Sequence, residues 1–209
     1  MRKKMVLALL MAALLAGGVF AQNFRLSAGG GVSIIPSFGE TIYDGKPQDG
    51  SKSTGFDFGI NAFFDATYVE VNLGLLFGSQ KWGEDDDKGF GTTTLLLGVV
   101  GKYPISLSDK FVFFPFLGID YSINLGAWSD GAEVVDSDYF KKDERFNALS
   151  ILLGVGIDFS LTKALYLRAE AGYGIVLNTK AEADTVSHDS KYVFFKGRIP
   201  IKLALGFRF

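Results

Sequence analysis

Residues 69–78 read Val-Glu-Val-Asn-Leu-Gly-Leu-Leu-Phe-Gly, and their parity decides the fold. Val69, Val71, Leu73, Leu75 and Phe77 fall on one side of an extended chain; Glu70, Asn72, Gly74, Leu76 and Gly78 fall on the other. Successive side chains of a strand point to opposite faces, so this stretch is a strand with one wholly apolar face and one polar, glycine-rich face. Residues 165–177 repeat the pattern, with Leu165, Leu167, Ala169, Ala171, Tyr173 and Ile175 set against Tyr166, Arg168, Glu170, Gly172 and Gly174. So do residues 192–209, with Ile199, Ile201, Leu203, Leu205, Phe207 and Phe209 set against Lys196, Arg198, Lys202 and Arg208.

The same alternation predicts eight strands, at about 24–35, 54–65, 69–80, 91–103, 111–125, 147–159, 165–177 and 192–209. The connections alternate in length: 65–67, 104–110 and 160–164 are short, while 36–53, 81–90, 126–146 and 178–191 are long and polar. An even number of strands, with short turns at one end and long loops at the other, is the layout of a transmembrane barrel. The expected fold is therefore all-β, an eight-stranded antiparallel up-and-down β-barrel spanning a membrane. A soluble barrel with an apolar interior would alternate in the same way. Two details favour the membrane. No Asp, Glu, Lys or Arg falls on the apolar parity, where a charge would meet lipid. The opposite parity is rich in glycine, which suits a cramped lumen and would weaken a solvent-facing strand.

The N-terminus supplies the compartment. Arg2, Lys3 and Lys4 precede an apolar run from Met5 to Leu15, and small residues lead to Val19-Phe20-Ala21 before Gln22. That is a secretory signal peptide over residues 1–21, too short in its apolar core for a spanning anchor. Residues 22–209 then form one barrel domain. Removing 1–21 takes away three bases and no acids, leaving 18 Lys+Arg against 23 Asp+Glu, a net charge of −5. No concentrated basic face remains for nucleic acid. The sequence holds no cysteine, which excludes disulfides, thiolate metal sites, cysteine catalysis and a lipid anchor through cysteine.

The stretch Gly154–Gly174, GVGIDFSLTKALYLRAEAGYG, resembles a strand hairpin of small outer-membrane barrels, and Ile201–Phe209, IKLALGFRF, resembles their C-terminal assembly signal. The family is that of outer membrane β-barrel domains, including the opacity proteins and the OmpA- and OmpX-type barrels. The resemblance implies an outer-membrane location. It also implies insertion by the outer-membrane assembly machinery, with Phe207 and Phe209 as the residues read. Within such a family barrels serve adhesion, pore and enzyme roles, so function has to come from the residues.

Arg25, Asp57, Glu70, Lys102, Asp120, Asp158, Arg168, Glu170, Lys202 and Arg208 fall on the polar parity and form a candidate lumen charge network, joined by Lys196 and Arg198. Mutual pairing would make a plug; a constriction of Glu170, Asp120, Arg168 and Lys202 would instead make a narrow gated path. Phe63, Phe114, Phe116 and Phe194 would fill the lumen further. Trp82, Trp128 and Tyr103 are candidates for aromatic girdles at the membrane boundaries. His188 is the single histidine, beside Asp189 and Ser190. A lipid-modifying site there is weighed against a solvated loop, since triads are set by geometry and not by adjacency. The acidic residues 84–87, with Asp136, Asp138, Asp143 and Glu144, match no calcium-loop spacing.

These readings predict a non-enzymatic surface barrel without cofactor or resident metal. Its partners would be outer-membrane lipids and the assembly machinery, with an extracellular ligand or host surface met by loops such as 126–146. Closure leaves no free edge, so a monomer is expected. A narrow channel for ions or small solutes is the alternative, and a lipid-modifying enzyme the remote one. Intact-mass measurement on protein extracted from outer membranes should find an N-terminus at Gln22; retention of residues 1–21 would make them an anchor instead.

Overall fold

The computed structural model describes residues 25–43, 46–47, 52–82, 89–129, 132–133, 147–177 and 192–209. Eight strands carry the fold: β1 Leu26–Tyr43, β2 Ser53–Ala66, β3 Val69–Trp82, β4 Gly89–Lys102, β5 Phe111–Ser129, β6 Ala148–Ser160, β7 Leu165–Val176, and β8, which runs as Tyr192–Arg198 and Ile201–Arg208. Each pairs antiparallel with the next, and β8 returns to pair with β1, so the sheet closes on itself. Two-residue strands at Lys46–Pro47, Ile105–Ser106 and Ala132–Glu133 pair onto β1 and β5.

Cross-strand partners give the stagger of the barrel. From Gly174 one circuit runs through Arg198, Ser37, Gly55 and Gln80 to Phe90. The other runs through Leu152 and Gly118 to Val100, ten residues from Phe90 on the same strand. With eight strands, such a tilt encloses a lumen only as wide as the side chains that fill it.

The parity reading holds along the wall. Val69, Val71, Leu73, Leu117, Ile119, Leu153, Leu167, Leu203 and Leu205 are all exposed, while Glu70, Asn72, Leu76, Asp120, Leu152, Arg168 and Glu170 are buried. The apolar face therefore points outward. The lumen is packed by aromatics seated over cross-strand glycines: Phe63 over Gly29, Phe114 over Gly156, Phe116 over Gly154 and Tyr166 over Gly206. A Cβ built on Gly156 would stand 2.3 Å from the Phe114 ring, and one on Gly206 would stand 2.2 Å from Tyr166. Glycine on one strand is thus what gives each ring its space on the next.

Several expected boundaries move, each for a local reason. β1 continues beyond Pro36 to Tyr43, because a proline in a strand removes one donor while its carbonyl still accepts from the Ile199 N–H at 2.8 Å. The first short turn narrows to Thr67-Tyr68, which places Asp65 and Ala66 inside β2. Thr67 has φ +60°, and its hydroxyl oxygen accepts from the Arg25 N–H at 2.7 Å and donates to the Arg25 carbonyl at 3.0 Å. β5 extends to Ser129 through a bulge, since Thr94 pairs with Asn124 but Thr93 with Gly126. β8 is interrupted at Ile199-Pro200 without loss of register, as Ser37↔Arg198 and Ile34↔Ile201 keep the same alignment.

The outward face makes a direct demand on stability. Leu203→Arg, at an exposed position on β8, should destabilise the barrel in lipid vesicles by about 2–4 kcal/mol in reversible denaturant unfolding. A neutral result would mean that this face does not meet hydrocarbon.

Candidate functional site

The lumen charges gather in two layers set by where each strand meets its turn. Near the short-turn end, Asp65 closes β2, Glu70 opens β3, Lys102 ends β4, and Asp158 and Arg168 flank the β6–β7 turn. Arg168 is the hub. Its Nε and Nη2 donate to the two carboxylate oxygens of Asp158 at 2.7 and 2.8 Å, and Nη2 also donates to Asp65 at 2.8 Å. Nη1 donates to Glu70. Lys102 bridges to Asp65 and, at 3.3 Å, to Glu70, while the Asn72 amide donates to the remaining Glu70 oxygen at 2.9 Å. The guanidinium carbon of Arg168 lies 4.6 Å from the Phe63 ring centre, 5.0 Å from Phe114 and 5.2 Å from Tyr166. Three carboxylates and three ring faces thus compensate one desolvated cation.

Glu170 joins this layer from above, 4.0 Å from Arg168 and 3.4 Å from Lys202. Asn61, Phe63, Glu70, Asn72, Arg168, Glu170, Lys202 and Ala204 surround a point where no space for a water molecule remains. Below it a cavity of about 290 Å³ opens at the short-turn end, lined by Arg25, Asp65, Lys102, Asp158 and Arg208 among others. Above it a cavity of about 90 Å³ is lined by Ser37, Asp57, Thr92, Thr94, Ser122, Asn124 and Arg198. In that upper layer Asp120 pairs with Arg198. Leu76 and Leu96, packed with Ile35, form an apolar flank.

Most of the expected network therefore lies in the lumen, with different partners from those expected. Glu70, Lys102, Asp158, Arg168, Glu170 and Lys202 are brought together. Asp120 is not part of that constriction; it belongs to the upper layer through Arg198. Asp57 lines the upper cavity, and Arg208 caps the lower end, donating to Ser160 at 2.8 Å over the Tyr166 ring. Arg25 stands exposed at the rim, ahead of the first strand residue, and lines the mouth of the lower cavity without an ion pair shown to the network. Asp65 is the residue that sequence reading missed. It was assigned to a turn, yet it continues the inward parity of Asn61 and Phe63, and that count would have found it.

Tyr103 stands exposed beyond β4, at the short-turn boundary. Trp82 and Trp128 pair through their backbones with Ser53 and Gly91, and their side chains lie outside the described residues. The side chains of Phe194 and Lys196, together with His188, Asp189, Ser190, the acidic residues 84–87 and most of 126–146, also lie outside them. Phe207 and Phe209 are exposed, their rings 5.6 Å apart.

Residues 6–194 match the family described as outer membrane protein beta-barrel domain. No curated protein sequence matches the chain. Among solved structures, the outer membrane protein OprG from Pseudomonas aeruginosa is 12% identical, with 89% of this chain and 96% of that chain covered and a TM-score of 0.46. Neisserial surface protein A is 15% identical over 87% and 97%, with a TM-score of 0.43. A major outer membrane protein from Thermus thermophilus is 14% identical over 85% and 99%, also with a TM-score of 0.43. Identities this low carry no activity from those proteins to this chain.

The hub can be tested without reference to function. Glu70→Ala leaves part of the Arg168 and Lys102 charge uncompensated in a buried site, so it should cost about 3–5 kcal/mol in vesicle-based unfolding. Lys202→Met breaks one longer contact and should cost clearly less.

Proposed function

Because this chain belongs to the outer membrane protein beta-barrel domain family, we propose that it acts as a non-enzymatic, closed structural barrel that presents its long loops outside the cell. The observation that carries this reading is the septum at Arg168, Glu70, Glu170 and Lys202, where no space for a water molecule remains among the packed side chains. A barrel filled by salt bridges and aromatics is a rigid platform, and rigid platforms commonly position loops for recognition. The segment spanning 130–146, which follows β5 and has Val134, Val135, Tyr139 and Phe140 in its sequence, is the part proposed to meet an extracellular ligand or host surface. The barrel works as a monomer among outer-membrane lipids, is assembled from the Phe207 and Phe209 end, and uses no cofactor.

A second reading has its own support. Cavities of about 290 and 90 Å³ approach the septum from both ends, and among the described lumen ion pairs Glu170–Lys202, at 3.4 Å, is one of the longer, with Arg168–Glu170 at 4.0 Å. In that reading the septum opens as a narrow gate for ions or small solutes.

Planar-bilayer recording of the refolded mature protein separates the two. Silence is expected, with folding verified by heat-modifiable gel mobility. Discrete openings whose conductance shifts on Glu170→Gln would overturn the closed barrel and establish the channel.

A further inference from the structure

Two of the short turns are built alike. In the β4–β5 turn, the Ser108 hydroxyl oxygen accepts the N–H groups of Lys110 and Phe111 at 3.3 and 3.2 Å, while the Leu107 N–H donates to the Phe111 carbonyl at 2.9 Å. In the β6–β7 turn, Thr162 accepts the N–H groups of Ala164 and Leu165 at 3.2 and 2.9 Å, while the Leu161 N–H donates to the Leu165 carbonyl at 2.9 Å. Because β5 and β6 are neighbours, the turns sit side by side, and the Ser160 N–H donates to the Lys110 carbonyl at 2.8 Å between them. Each turn presents one leucine and one lysine. Leu107 is 61% exposed and Leu161 46%, and Lys110 and Lys163 are exposed without an ion pair among the described residues.

Exposed leucines at the tips of turns have no reason to stand in water. Here they continue the outward apolar band of the wall: Phe111 and Phe159, with ring centres 4.9 Å apart, and the exposed Ile105 and Tyr103. Apolar tips beside unpaired ammonium groups, at the edge of a hydrocarbon-facing wall, match the profile of an anionic phospholipid: acyl chain below, phosphate at the boundary. The third short turn, Thr67-Tyr68, has no lysine. Asp109 is the one acid on the paired turns and leaves them with a net positive charge.

We propose that the rim formed by the β4–β5 and β6–β7 turns is a docking surface for anionic phospholipid of the periplasm-facing leaflet, with Lys110 and Lys163 holding the headgroup phosphate and Leu107 and Leu161 seated at the chain boundary. The site lies at the opposite end of the barrel from the loops and is independent of the closed or gated state of the lumen.

The test uses the refolded barrel in phosphatidylcholine vesicles, with spin-labelled phosphatidylglycerol compared against spin-labelled phosphatidylcholine by electron paramagnetic resonance. The wild type should hold a larger motionally restricted fraction of the anionic probe, and Lys110→Gln with Lys163→Gln should remove that preference, at about five-fold in relative affinity per lysine at low salt. High salt should weaken the preference in the wild type. Lys52→Gln, at the long-loop end, should leave it intact. Equal restriction of the two probes by the wild type, as expected if a protein or a second copy covers this rim, would overturn the proposal. So would a preference that survives loss of both lysines, or one indifferent to salt.

Discussion

A bilayer interior offers no hydrogen bond to a peptide group, and the other features of this molecule follow from that constraint. Every strand that crosses must give its N–H and C=O groups to neighbours on both sides, so the sheet has to close. Eight strands with a ten-residue stagger close around a very small lumen, and what fills it must be chosen position by position. Glycine opposite aromatic is the solution on the neutral side: Gly29 with Phe63, Gly156 with Phe114, Gly154 with Phe116 and Gly206 with Tyr166. Each ring occupies space that its partner's missing side chain vacates.

Charge is the other filling, and it brings its own requirement. A guanidinium removed from water is tolerable only with its donors satisfied and its charge met. Arg168 meets Asp158 in a two-bond fork, then Asp65 and Glu70, and rests against three aromatic rings that themselves depend on glycine partners. The network and the ring packing are therefore one assembly. Closure, stagger, glycine placement and ion pairing converge at the layer around Arg168, directly above the cavity of about 290 Å³ at the short-turn end. Unpartnered polar atoms remain in both layers: Asp65 Oδ1 in the lower one, and Thr92 Oγ1 and Arg198 Nε beside the small upper cavity.

What could be read from the sequence divides along this line. Parity is local, so Val69–Phe77 and Leu165–Ile175 declared the outward face, and Glu70, Arg168 and Glu170 the inward one. Strand count and loop alternation followed from the same signal. Partner choice across the lumen is not local. Asp120 on β5 and Arg198 on β8 are three strands apart in the ring and meet only because the stagger lifts one toward the other. Nothing in either segment states that stagger, so Asp120 was grouped with Glu170. Asp65 was lost to a turn assignment that began two residues too early. The bulge leaves Leu125 unpaired between Asn124 and Gly126, at the far end of β5 where the expected strand was already ending.

The wall itself is not uniform. Pro36 on β1 faces Ile199, and Pro200 on β8 faces Gly172, and each pair carries the one bond that a proline permits: Ile199 N–H to the Pro36 carbonyl at 2.8 Å and Gly172 N–H to the Pro200 carbonyl at 3.0 Å. The reciprocal bonds cannot form, because proline has no N–H. Two ladder bonds are thus missing on the two sides of β8 at nearly one level, in a strand whose register is otherwise unbroken. Phe38 and Tyr173 lie close over Gly197 just above the gap, their ring centres 6.2 Å apart. Aromatic cover takes over from backbone pairing where the backbone has least to give. The closure that makes the fold thus carries, along the Pro36–Pro200 seam, fewer ladder bonds than its unbroken register would allow.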